Sequence, residues 1–163
     1  MRTIKFRGKK VTNGVWAYGS LVYLDENGAA IYVQTDNGAA KEMDLVYVHP
    51  DTVCQFTGFL DKNGKEIYEG DVLRSDEYPY SCIGDKKRDN YYAVVYYCEE
   101  GACFGTVTAK NPSSDVGGIS DGILDDVERE KMKNFEVVGN IHEENWQQYG
   151  EYFKNEEKEA DND

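Results

Sequence analysis

Four Asn-Gly steps fall within the first 64 residues of this 163-residue chain: Asn13-Gly14, Asn27-Gly28, Asn37-Gly38 and Asn63-Gly64. Asn and Gly tolerate positive φ, which the tight turns matching the twist of paired strands require. Each step stands between apolar runs, so the spacing predicts an antiparallel meander. Ile4 and Phe6 alternate with Lys5 and Arg7, as a half-buried strand would. Val15 to Leu24 reads as the next strand, with Gly19 as a bulge, then Ile31 to Val33, then Leu45 to Val48.

The segment from Cys54 to Arg74, CQFTGFLDKNGKEIYEGDVLR, reads as a hairpin followed by a sharp redirection. Phe56, Phe59 and Leu60 precede the Asp61-Lys62-Asn63-Gly64 turn, and Ile67 and Tyr68 follow it. Gly70 permits a change of direction, and Asp71 beside it can accept from neighbouring backbone N–H groups. Glu69 and Asp71, at i and i+2, would share one face of a strand, as a carboxylate pair for metal or acid chemistry must. No His or third carboxylate stands close in sequence to complete such a site, so the segment reads as a folding element. His49 precedes Pro50 and reads as a turn residue rather than as a base beside Asp51.

Beyond the polar loop 75–90, the run Tyr91 to Tyr97 (YYAVVYY) is continuously apolar, which predicts a strand buried on both faces or one with an aromatic outer face. Ala102 to Ala109 is its hairpin partner. If Glu100-Gly101 is a two-residue turn, Cys98 faces Cys103 directly across it. Ser120 can cap a short helix over 121–133, with acids early and Lys late, as the helix dipole prefers. Phe135 to Ile141 reads as a closing strand, and 143–154 as a helix with Trp146, Tyr149 and Phe153 on one side. An acidic tail follows from Asn155. The expected fold is mainly β: an N-terminal antiparallel meander (1–67), a C-terminal SH3-like barrel with one inserted short helix (68–146), and a C-terminal helix with the tail (147–163).

Composition narrows the function. The net charge of −13 repels phosphate backbones and favours, if anything, a basic partner. The basic start, MRTIKFRGKK, lacks the apolar core of a secretory signal, and no run approaches the ~20 apolar residues of a membrane span, so a cytoplasmic location is expected. The four cysteines form no Cys-x-x-Cys pair, and in a reducing cytosol they are expected to stay thiols. No phosphate-binding Gly loop and no nucleophile elbow is present. No catalytic, cofactor or metal site is read from the sequence. The candidates for nucleic-acid contact are Lys86, Lys87 and Arg88, with Tyr91 and Tyr92 as stacking rings.

The central segment resembles the YopX family of phage and prophage proteins. The carrying residues are Thr52-Val53-Cys54-Gln55-Phe56-Thr57-Gly58 followed by Asp61 to Asp71. Ile4-Lys5-Phe6-Arg7 resembles the family's opening strand, and Val137 to Asn145 its closing segment. Cys54 stands where the family usually has Gly, Phe59 where it has Leu, and His142 where it has an aromatic. The resemblance implies a small, mostly β accessory protein of bacterial cytoplasm, in a family without an assigned activity or defined site residues. The expected function is a non-enzymatic module binding a host or phage protein, with self-association into a homo-oligomer as a further option. The alternatives are a nucleic-acid-binding β-barrel, or an acidic mimic that blocks a host DNA-binding protein.

Overall fold

The computed structural model describes residues 3–25, 28–36, 41–75, 91–108, 122–123, 133–144 and 146. The chain divides into two compact units, Met1–Gly58 and Phe59–Asp163. The division precedes the expected 67/68 boundary because Phe59 and Ile67 both belong to the core of the second unit.

The first unit is the expected meander. Its strands are β1 (Phe6–Lys9), β2 (Trp16–Asp25), β3 (Gly28–Asp36), β4 (Lys41–Val48) and β5 (Cys54–Leu60), in the sheet order β4-β3-β2-β1-β5. Strand β5 runs past Gly58 into the second unit, where β6 (Glu66–Tyr68) continues the sheet order beside it. Strand β2 pairs with β1 through Gly19 and with β3 from Ser20 onward. The handover explains Gly19 better than a bulge does: a Cβ there would stand 1.9 Å from the Tyr32 carbonyl oxygen. Only a residue without a side chain lets the β3 backbone approach so closely. The register irregularity lies instead between Tyr23 and Asp25.

Ala17, Ala29, Ile31 and Val48 are buried together, with Phe6, Leu21, Val33, Val46 and Val53 packed against them. The registers Leu21↔Ile31 and Ile31↔Val46 place these residues on one face. A single bridge, Lys10↔Val48, ties the end of β1 to the end of β4. His49 N–H donates to the Lys9 carbonyl at 2.8 Å and Val11 N–H to the Tyr47 carbonyl at 3.1 Å, reinforcing it. Pro50–Thr52 forms a 3-10 turn, with the Thr52 hydroxyl donating to the His49 carbonyl at 2.7 Å. His49 is therefore a turn residue.

The second unit holds β7 (Asp71–Ser75), β8 (Tyr91–Cys98), β9 (Cys103–Thr108), β10 (Gly122–Ile123) and β11 (Glu136–Asn140), as an antiparallel sheet in the order β10-β9-β8-β7-β11. The apolar run of β8 is buried on both faces from Tyr92 to Val95, while Tyr97 is 40 % exposed. Ala93 and Val95 join Phe59, Ile67, Leu73, Phe104, Phe135 and Val137 on one side. Tyr92 and Val94 join Val72 on the other.

Two expectations change here. Among the described residues the sheet is not closed, so an SH3-like barrel is not formed by them: β10 and β11 stand at opposite edges. The inserted helix is also displaced at its start, where Gly122 and Ile123 pair with Thr106 and Gly105 of β9. The open edge of β9 takes up this backbone, and tertiary pairing overrides a weak local helix preference. The rest of that expected helix, 124–132, lies outside the described residues, as does most of the expected C-terminal helix. No helix among the described residues is long and apolar enough to cross a membrane.

Candidate functional site

Two features of the molecule invite a functional reading: the carboxylates of the Asp61–Asp71 hairpin, and the outer face of the first unit's sheet.

The hairpin carboxylates are occupied by the fold. Gly64, at φ 79°, closes a turn in which Gly64 N–H donates to the Asp61 carbonyl at 3.0 Å. Asp61 is buried, and its Oδ1 accepts from the N–H groups of Asn63 (2.8 Å) and Lys65 (2.9 Å). Its Oδ2 accepts from Val137 N–H of β11 at 3.1 Å. Lys62 N–H donates to the Phe135 carbonyl at 2.8 Å, and Lys62 Nζ pairs with Glu136 at 2.7 Å. The turn is thus stitched along one edge of β11.

Asp71 repeats the device. Its side chain is fully buried; Oδ2 accepts from Tyr68 N–H at 2.8 Å and Oδ1 from Asn140 Nδ2 at 3.2 Å. Asn140, 1 % exposed, accepts in turn from His142 N–H at 2.9 Å through Oδ1. Gly70, at φ 74°, makes the redirection between β6 and β7. A Cβ there would press on Asn140 Nδ2 and Ile141 at 3.1 Å. An aspartate that satisfies a buried backbone N–H and a buried amide works as a fastener, because its lone pairs are committed to the fold. The Glu69/Asp71 pair is accordingly read as a capped turn. Among the described residues, no group of three or more His, Cys, Asp or Glu could hold a metal ion.

The outer face of the first unit differs. Along β4, Met43, Leu45 and Tyr47 alternate with Val46 and Val48, so they point away from the core. Tyr32 stands opposite Leu45 in register, and Ser20 of β2 opposite Tyr32. Tyr18 lies on the same face of β2, while Leu24 falls at the register irregularity between Tyr23 and Asp25. Tyr47 and Met43 are each 57 % exposed, Tyr18 and Leu24 43 %, and Tyr32 and Leu45 38 %. Five large apolar side chains on one sheet face, Tyr18, Tyr32, Met43, Leu45 and Tyr47, form a patch of the kind that marks interaction surfaces.

Cations border it. Lys5, Arg7 and Lys9 alternate along β1 on this face, opposite Tyr18 and Trp16 in register. Arg7 lies 4.4 Å and Lys9 5.5 Å from the Trp16 ring centre, and Lys5 5.9 Å from that of Tyr18. Such contacts hold a charge over a ring's negative face. Arg7 is itself buried.

Lys86, Lys87 and Arg88 lie outside the described residues. Tyr91 opens β8 in register with Ser75. Tyr92 is 8 % exposed and packs with Val72 and Val94. Sequence reasoning missed the exposed face of the meander. Its signal is present: Met43-Asp44-Leu45-Val46-Tyr47-Val48 carries apolar residues at both parities of a strand whose sheet covers only one side.

The family model described as "YopX protein" matches residues 5–145. Among solved structures, that of protein EF1440 from Enterococcus faecalis is similar at 18 % identity, covering 87 % of this chain and 95 % of that one. Its TM-score of 0.48 is too low to carry an argument. No curated protein matches the chain.

Proposed function

The chain belongs to the YopX family, and on that premise we propose that it is a non-enzymatic protein-binding module, a phage or prophage accessory protein working in the bacterial cytoplasm. The observation that carries this reading is the exposed apolar face around Tyr32, Leu45 and Tyr47. Its partner is a host or phage protein with a complementary apolar patch. The net charge of −13 favours encounter with a basic partner at low salt; it is carried by residues 59–163, since residues 1–58 hold six basic and six acidic residues. The same face would serve a homo-oligomer, in which a second copy covers it.

The second unit, entered through the Glu69-Gly70-Asp71 step, is read as an open relative of SH3-like barrels. That fold analogy adds no function.

Affinity capture from host lysate tests the reading, with Tyr32→Ser/Leu45→Ser/Tyr47→Ser as the comparison. The reading expects a protein recovered by the natural chain and lost by the variant. Recovery that weakens with salt and involves a basic DNA-binding protein would favour the acidic-mimic form. Light scattering that shows a dimer only for the natural chain would make the partner a second copy.

A nucleic-acid reading draws on the cations of β1 beside Trp16 and Tyr18. It expects salt-sensitive binding of labelled single strands, weakened by Lys5→Ala/Lys9→Ala. Absence of retardation at low salt removes it.

A further inference from the structure

Cys98 and Cys103 face each other directly across the β8–β9 hairpin, with Tyr97↔Phe104 as the next pair inward. The loop between them is four residues long, 99–102, rather than a two-residue turn. Ala102 N–H donates to the Glu99 carbonyl at 3.3 Å, and Ala102 takes φ 48°. A non-glycine residue in the left-handed region marks a loop shaped by the strands it joins. Directly opposed strand residues have Cα atoms about 4.5–5.5 Å apart, within the span a disulfide requires.

The side chains converge as well. A Cβ built on Gly101 would stand 3.0 Å from Cys103 Sγ and 3.6 Å from Cys98 Sγ, so both sulfurs lie over the same glycine. Both residues are free cysteines, half-buried at the tip of a hairpin, whereas Cys54 is buried in the first unit. Below them, Tyr97 and Phe104 meet edge to face at 5.3 Å, which steadies the register of the sulfur pair.

We propose that Cys98 and Cys103 form a redox modification site, a dithiol that closes to a cross-strand disulfide by exchange with a low-molecular-weight disulfide and reopens with thiols. In the first step the Cys98 thiolate, its proton given to solvent, attacks one sulfur of the small disulfide. That S–S bond breaks, one thiolate leaves and takes a proton, and a mixed disulfide remains on Cys98. Cys103 then loses its proton and attacks the Cys98 sulfur, expelling the second thiolate, which is protonated in turn. The protein loses two hydrogens, and the small disulfide is reduced to two thiols.

The order of attack follows from the surroundings. Desolvation, then the neighbouring Cys98, push the Cys103 thiol above its ordinary range. A thiol held protonated in this way suits the second, intramolecular step, where the mixed disulfide is already beside it. Glu99 and Glu100, both exposed beside the pair, disfavour an anionic reagent such as glutathione disulfide relative to the cationic cystamine.

The test is intact-mass and peptide mapping of the full chain after incubation with glutathione disulfide and, separately, cystamine. The proposal expects a loss of two hydrogens mapped to a Cys98–Cys103 link, with no lasting adduct on either residue. Cys103→Ser should trap the mixed disulfide on Cys98, with about tenfold more adduct there than in the natural chain, because the resolving thiol is gone. Cys98→Ser should react more slowly, and cystamine faster than glutathione disulfide at low salt. Stable adducts on both Cys98 and Cys103 of the natural chain, or a link from either to Cys82, would overturn the proposal.

Discussion

The turn at 10–15 in the first unit and the turn at 61–65 in the second each contain a glycine at positive φ, yet they are secured differently. In the first, Lys10 and Val15 close the hairpin through the backbone at 2.9 Å, and Asn13 reaches only Val15 N–H within the same turn. In the second, Asp61 holds its own turn with one oxygen and β11, 76 residues away, with the other. Asp71 makes a second such tie through Asn140. The turn of the first unit is closed mainly through its backbone, and the exposed Met43, Leu45 and Tyr47 of β4 take no part in it. The second depends on particular buried side chains. This explains why the motif-rich segment, which invites a catalytic reading, carries architecture, while a segment with no motif carries the candidate surface.

Removing a fastener should have the largest effect. Asp71→Ala leaves the Tyr68 N–H and the Asn140 amide without this acceptor in the core, and should cost about 3 kcal/mol. Hydrogen exchange should show the loss in β7 and β11, with the amides of β2 and β3 unchanged. A uniform loss across both units would mean that the fastener is not local.

The backbone counterpart is Gly19→Ala. The added methyl meets the Tyr32 carbonyl, so β2 or β3 must shift, at a cost of about 2 kcal/mol. Exchange should accelerate at Ser20 to Tyr23 and at Ala29 to Tyr32, while β7 to β9 keep their protection. If Gly19→Ala is neutral, the handover of β2 between its two neighbours is looser than described.

Lys62→Ala probes the surface end of the second unit's stitching. The Lys62–Glu136 pair is about a third exposed on each side, so its loss should shift stability by less than about 1 kcal/mol. The Lys62 main-chain bond to Phe135 survives the substitution. Chemical denaturation followed in the second unit would check this, and a shift as large as that of Asp71→Ala would place more of the fastening on charge than on the buried carboxylates.

The pattern of legibility in the sequence follows the same division. The Asn-Gly steps at 13–14 and 63–64 announced turns because positive φ is a local demand that Gly64 and Gly14 meet by themselves. The two-sided burial of β8 was readable from its unbroken apolar run. Asp71 could be read as a cap for its neighbours, but its tie to Asn140 could not, since 69 residues separate the partners. Gly19 invited a bulge because a glycine in a strand has several uses, and only the position of Tyr32 selects among them. Gly122 and Ile123 were misread because the waiting edge of β9 is a tertiary fact. The exposed face was hidden for a related reason: apolar residues on both sides of a strand look alike until one side is seen to have no cover.

Tyr32→Ser/Leu45→Ser/Tyr47→Ser should have a smaller effect on stability than Asp71→Ala and the largest on recognition. Each side chain is at least 38 % exposed, and surface substitutions of this kind typically stay within about 0.5 kcal/mol. The most direct measurement is therefore a side-by-side capture from host lysate with the natural chain, this variant and Lys62→Ala, all three first confirmed folded by hydrogen exchange. The account predicts that the natural chain and Lys62→Ala recover the same protein, or self-associate alike, and that the face variant does neither. Equal recovery by all three, or loss only with Lys62→Ala, would contradict it and move recognition to the hairpin.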